Sequence, residues 1–181
     1  MDCGKVDFSK LYLMTEKKGY RIVYNMSKLQ IKTPMVFSPF GIENYNGKDI
    51  LNLEVKNIGN DQANFVHVMS TFDRLYHHFS DKSIINDTNK VPFINVQQYA
   101  ILSKDLCGKT YTTFLKHGTQ GKHVRTHLTK NTEIYKIVNG KKLPTTEIKG
   151  KKLVCEIELA NLWVYGVSYG LTWNINKIEV L

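Results

Sequence analysis

Residues Asp61–Phe79 read DQANFVHVMSTFDRLYHHF. Phe65, Val68, Met69, Phe72, Leu75, Tyr76 and Phe79 fall at i, i+3, i+4, i+7 spacing, the period that lines one face of an α-helix. Asn60 or Asp61 can accept from the first free backbone amides and so cap its start. His77-His78 stands at the C-terminal end, where positive charge suits the helix dipole, and His67 is expected to face solvent. No other stretch reads as a convincing amphipathic helix. A chain with one mid-chain helix must build the rest of its core from strands.

Short runs rich in β-branched and aromatic residues supply them. Before the helix they are Lys10–Met14, Tyr20–Asn25 and Leu29–Val36, with Pro34 demanding an edge or a bend in the third. Ser38-Pro39-Phe40-Gly41 reads as a turn, and Asn46-Gly47 as a type I′ hairpin turn. Ile50–Val55 then alternates, with Leu51, Leu53 and Val55 on one side and Ile50 and Glu54 on the other. Ser80–Lys90 is polar and Asn-rich, the composition of a loop. After Pro92, Tyr99–Leu102 and Tyr111–Lys116 read as strands, and 117–130 as connecting loop. Glu133–Val138 and Lys141–Glu147 flank Asn139-Gly140, a second I′ signal, and form a basic hairpin. Leu153–Leu159, Leu162–Val167 and Leu171–Val180 complete the set, with a Gly-rich corner at Gly166–Gly170. In the last run the apolar phase slips from Leu171, Trp173, Ile175 to Ile178, Val180, which predicts a β-bulge near Asn176-Lys177. Many short strands and one helix match a small Greek-key barrel. The OB-fold, with five strands and a helix between the third and fourth, is the commonest such barrel. The expected fold class is therefore mainly β: an OB-fold-like Greek-key barrel with one amphipathic helix (about 61–79) and extra hairpins, in one domain over 1–181.

The charge is segregated. Lys104–Lys152 holds 12 Lys or Arg against three acids, and that surplus equals the formal charge of the whole chain, +9. A field so uneven suits a polyanion. Tyr111, Phe114 and Tyr135 are interleaved with the cations. Single-stranded nucleic acid is held in this way, by bases stacked on aromatic rings and cations tracking phosphates. The opposing reading is a solvated β-face whose aromatics belong to the core. The candidate nucleic-acid-binding residues are Lys104, Lys109, Tyr111, Phe114, Lys116, Lys122, Arg125, Lys130, Lys136, Lys141, Lys142 and Trp163. Trp173 alternates with Leu171 and Ile175 and reads as core.

Other chemistry finds little support. Gly118-Thr119-Gln120-Gly121-Lys122 is too short for a phosphate-binding P-loop and is followed by His123. It matches the Gly-x-x-Gly of KH domains, yet its surroundings read as strand, so a basic hairpin tip is the better reading. His117, His123 and His127 fit no zinc spacing, and Cys3, Cys107 and Cys155 lie far apart. No Asp/Glu cluster suits a metal-dependent nuclease. No enzyme activity, metal or cofactor is expected. No apolar run reaches the roughly 18 residues of a membrane span, and the N-terminus lacks signal-peptide order. Asn25-Met26-Ser27 and Asn86-Asp87-Thr88 are sequons of a kind that chance supplies to an Asn-rich chain.

Leu29-Gln30-Ile31-Lys32-Thr33-Pro34, then Ser38-Pro39-Phe40-Gly41-Ile42, with Leu162-Trp163, Tyr169-Gly170 and Thr172-Trp173 near the end, resemble one family in that order. It is the OB-fold single-stranded DNA-binding proteins of nucleocytoplasmic large DNA viruses, distantly similar to those of short-tailed phages. The resemblance implies non-catalytic, sequence-tolerant binding of single-stranded DNA in viral replication, recombination or repair. It places the protein in the host cytoplasm (a viral factory), in the nucleus or in the virion. It implies structural roles for the Thr-Pro and Pro-Phe-Gly positions. RNA and replication proteins are further candidate partners, a homo-oligomer is an open option, and no membrane is expected. The phage proteins end in an acidic tail that recruits partners; this sequence ends Glu179-Val180-Leu181, a departure that puts tail-mediated recruitment of a polymerase in doubt. The rival readings are a structural or interaction protein of a virion or replication factory, and an RNA-binding factor.

Overall fold

Five strands close on themselves because the last two pair with each other as well as with earlier ones. The computed structural model describes residues 6–56, 59–80, 96–118 and 121–181. Expectations for Cys3, for 81–95 with its sequon, and for Thr119-Gln120 lie outside the described residues. The strands are β1 (Leu11–Glu16), β2 (Gly19–Tyr24), β3 (Gln30–Lys32), β4 (Val36–Ser38), β5 (Ile42–Tyr45) and β6 (Lys48–Val55) before the main helix. After it come β7 (Thr110–Thr112), β8 (Leu115–His117), β9 (Lys122–Val138), β10 (Lys141–Pro144), β11 (Lys151–Tyr165) and β12 (Ser168–Val180). The helices are α1 (Asn60–His77) and α2 (Val96–Leu106).

The ring runs β4–β6–β9–β12–β11 and back to β4. Numbered along the chain, its strands neighbour one another as first, second, third, fifth, fourth, with the third and fifth parallel. This is an OB-fold-like Greek-key barrel, and β1–β2, β5–β6 and β9–β10 are its extra hairpins. The helix departs from expectation: α1 lies between the second and third ring strands, β6 and β9, instead of after the third.

All seven apolar positions that predicted α1 are buried. Phe72 meets Trp173 edge-on at 5.3 Å between ring centroids, which ties the helix to the barrel core. Its cap is Gly59, which has no side chain to accept with, and neither Asn60 nor Asp61 takes that position. The larger correction concerns Tyr99–Leu102, which belongs to the helix α2 and not to a strand. Leu102 and Leu106, one turn apart, are buried there; an apolar run of four residues has too little length to show its period.

Pro34 breaks the run Leu29–Val36 into β3 and β4, both paired with β11. Tyr111–Lys116 likewise divides between β7 and β8. Residues 122–130, expected as loop, are the first half of the 17-residue strand β9. Both Asn-Gly turns have positive φ at both residues, 51° and 75° at Asn46-Gly47 and 49° and 74° at Asn139-Gly140, as a type I′ turn requires. The predicted bulge is present: Glu156 pairs with Lys177 and Ile157 with Ile175, leaving Asn176 unpaired. Glu158, nearly buried, anchors it. It accepts from Lys28 Nζ at 2.8 Å, Gln30 Nε2 at 3.3 Å and Asn176 Nδ2 at 3.3 Å.

Candidate nucleic-acid interface

β9 presents two different faces. Val124 and Thr126 are buried in the barrel, and Thr126 Oγ1 donates to the Leu51 carbonyl at 2.8 Å. The alternate residues His123, Arg125 and His127 therefore point outward. β6 sets Glu54, Asn52 and Ile50 opposite them. Glu54 and Ile50 are buried like Leu51, Leu53 and Val55, so this strand is covered on both sides. The β5–β6 turn then places Tyr45 opposite Lys48 at the rim. Tyr45 is 56% exposed, and the Arg125 guanidinium lies 5.4 Å from its ring centroid, a cation–π distance.

Two hollows open on this face. One of about 430 Å³ is lined by Tyr45, Lys48, Arg125, His127, Asn161 and Trp163, among others. One of about 530 Å³ is lined by Lys48, His127, Lys130, Thr132 and Asn174, among others. Lys48, His127 and Thr172 line both, so the two form one groove. Its walls carry cations at Lys48, Arg125 and Lys130, rings at Tyr45 and Trp163, and otherwise mainly neutral hydroxyls and amides. Asp49 is its one acid among the described residues, and it accepts from Asn44 Nδ2 at 3.0 Å. Arg125 and Lys130 have no carboxylate partner among those residues.

Trp163 owes its place to a missing side chain. Its cross-strand neighbour is Gly170, and a Cβ there would come within 2.8 Å of the indole. The ring is half-buried and keeps contact with the groove. His127 has its pKa held below the ordinary 6.5, first by burial and then by Lys48 and Arg125. It is a neutral hydrogen-bonding group at pH 7.

Of the twelve residues proposed from sequence, the groove gathers Arg125, Lys130, Trp163 and Phe114. Phe114 needs correction as a stacking ring: it is 4% exposed and packs 5.9 Å from Trp173, so it belongs to the core. Tyr111 is also committed elsewhere. Its hydroxyl donates to Asp73 Oδ1 at 3.0 Å, and burial first, then Asp73, raises its pKa. Lys116 is exposed on β8 opposite His123, beside the groove face. Lys122 Nζ donates to Ser70 Oγ on α1 at 3.1 Å, and Lys109 Nζ to the Gly166 carbonyl at 2.7 Å. Lys104 lies on α2. Lys136, Lys141 and Lys142 ride the β9–β10 arm, with Lys142 4.3 Å from the Tyr135 ring centroid. Tyr45, Lys48 and His127 were absent from the sequence set. The signal for the first two was the Asn46-Gly47 turn between them, which must bring its flanking residues side by side. The Gly118–Gly121 segment joins strands β8 and β9, closed by Gly118 N–H to the Gly121 carbonyl at 2.7 Å. Strands on both sides remove the KH reading. Among the described residues no three His, Cys, Asp or Glu side chains are grouped to hold a metal.

The architecture matches a solved structure, the single-stranded DNA-binding protein from bacteriophage Enc34. The TM-score is 0.50 at 11% identity, over 94% of this chain and 89% of that one. The two share a fold. A C-terminal truncation of that protein (TM-score 0.49, 10% identity, 94% of each chain) and its complex with single-stranded DNA (0.48, 11%, 95% of each) are similar at a lower level. No protein-family model matches the chain, and no curated protein matches it in sequence. Identity this low transfers no residue's role, so the groove rests on its own geometry.

Proposed function

We propose that this protein binds single-stranded DNA without reading its sequence and without catalysis, as one OB-fold-like domain, through the groove between Trp163 and Lys130. The observation that carries the reading is the joining of three cations and two rings along one continuous hollow. Rings at Tyr45 and Trp163 stack bases of any identity, while Lys48, Arg125 and Lys130 meet successive phosphates. The neutral hydroxyls and amides between them impose no base choice. The fold shared with a phage single-stranded DNA-binding protein supports the same ligand. The Thr-Pro, Pro-Phe-Gly and Trp-rich segments support a place among the proteins of large DNA viruses, acting in replication, recombination or repair where viral DNA is made.

A gel shift comparing single-stranded DNA, duplex DNA and RNA at two salt concentrations tests this. Single-stranded DNA should bind best. Its affinity should fall with salt at a log–log slope of about −0.7 per phosphate contacted, near −2 for three contacts. Tryptophan emission should be quenched on binding, and Trp163→Phe should abolish most of that quenching, because Trp173 is fully buried. Stronger binding of RNA would favour an RNA-binding factor. Absent or salt-independent binding would overturn the reading. It would shift weight to an interaction protein, for which Ile137, Val138 and Leu143, exposed among lysines on the β9–β10 arm, are the favouring observation.

A further inference from the structure

The groove does not end at Trp163. Asn161, Trp163 and Tyr165 alternate along β11 and so share its outer face. Asn161 and Trp163 already line the hollow. Tyr165 follows about 7 Å further on, a step that the sugar-phosphate backbone spans between stacked bases when extended. It is 82% exposed, and Val167 beside it is 77% exposed. Such exposure in a loose loop would mean little. Here the tip is held from the side: Lys109 Nζ donates to the Gly166 carbonyl at 2.7 Å, and Thr110 N–H to the Val167 carbonyl at 2.8 Å. A turn tied to its neighbour in this way, presenting an exposed aromatic ring, suits a ligand.

The cations are in place as well. β2 runs antiparallel to β11 with Arg21, Tyr20 and Gly19 opposite Asn161, Leu162 and Trp163. Continued one step, that register puts the Lys17-Lys18 turn beside the Val164–Tyr165 end of β11. Both lysines are exposed, and neither has a carboxylate partner among the described residues. On the other side Lys109 is fixed to the turn itself. These cations lie outside the 104–152 segment in two cases of three, so charge segregation along the sequence did not reveal the cluster.

We propose that Tyr165 is a further stacking position for single-stranded DNA, with Lys17, Lys18 and Lys109 around it as phosphate contacts. It extends the path past Trp163 to the β11–β12 tip. The inference rests on the groove reading above. It fixes an order along the strand: bases meet Tyr165, then Trp163, then Tyr45.

Photocrosslinking with the full chain tests it. Oligothymidylates of about 16 nucleotides carry one 5-iododeoxyuridine, moved stepwise from one end to the other, and the labelled residues are read by mass spectrometry. Labelling should pass from Tyr165 to Trp163 to Tyr45, or the reverse, as the substitution moves. Tyr165→Ala should weaken binding of the same oligonucleotide by roughly 5- to 100-fold. Tyr165→Phe should restore it, since the ring and not the hydroxyl acts. Tyr165 is exposed, so its removal leaves the core intact, and a thermal melt checks that both variants are folded. Labelling of Trp163 and Tyr45 with none at Tyr165, or wild-type affinity in Tyr165→Ala, overturns this inference and leaves the groove standing. Labelling of neither Trp163 nor Tyr45, with wild-type affinity in Arg125→Gln, overturns the groove reading and this inference with it.

Discussion

His127 gives the cationic groove wall a pH dependence. Burial, Lys48 and Arg125 hold its pKa below 6.5 in the free protein. A phosphate brought alongside would oppose those cations and raise the value again, so binding should take up a proton. Affinity for single-stranded DNA is expected to rise as pH falls from about 7.5 to about 5.5, by at most ~10-fold per pH unit for one proton. His127→Gln should flatten the profile; an unchanged profile in that variant would remove the imidazole from the interface. Stability has the opposite sign. The folded state binds this proton less readily than the unfolded chain, so the contribution of the neutral imidazole is full above about 6.5 and is lost as pH falls from there through the lowered folded value. The burial of His127 was not legible in the sequence, where it stands as one of three histidines that fit no zinc spacing. Its environment is set by Lys48, brought beside it from a strand seventy-odd residues away. Trp173 was legible, because the alternation Leu171, Trp173, Ile175 is local. Phe114 was not: a ring among lysines looks the same in sequence whether it faces solvent or Trp173.

At the level of elements, hairpins and the bulge follow local rules, and local rules were readable. Two Asn-Gly pairs fixed two turns, and a two-to-one slip in apolar phase fixed the bulge at Asn176. Strand lengths and the second helix were harder. β9 carries polar residues through 129–132 that look like loop; pairing with β12 stops at Leu128 and resumes at Glu133, so the strand spans them. The bulge also has a stability consequence. Glu158 holds Asn176 and Gln30 together, and Glu158→Ala would take the shared acceptor from a half-buried Asn176 amide and an exposed Gln30 amide. A loss of about 1 kcal/mol is expected, read as a shift in urea midpoint. Lys28→Ala should cost far less, because the Lys28 side chain is 63% exposed and its pairing is screened by water. Burial alone would raise the Glu158 pKa, but hydrogen bonds from Lys28, Gln30 and Asn176 hold it below the ordinary 4.5. Its stabilisation is therefore present above about 4.5 and fades as pH falls through the lowered folded value. Equal midpoints for Glu158→Ala and the wild type would mean that the bulge needs no anchor.

Across the whole molecule, the sequence showed the ring's members better than its closure. Periodicity identifies strands; which strand lies beside which depends on contacts distant in sequence. The charge surplus of 104–152 suggested one continuous basic wall, and the fold instead spreads it over α2, the groove, the β9–β10 arm and the start of β11. Three of the groove's five named contacts, Tyr45, Lys48 and Trp163, come from outside that segment. Closure also has a temporal side. β11 pairs with β2, β3 and β4 as well as with β12, so strands from the first quarter of the chain wait for residues 151–180 before they find their neighbours. A chain cut after residue 150 should show no cooperative unfolding transition; a sharp one would mean that the N-terminal strands fold unaided. During synthesis on the ribosome, the wall that bears Arg125 has no opposite side until Trp163 follows it well after. A groove assembled from residues so far apart is one that the proposed ligand can meet only when both walls have been made.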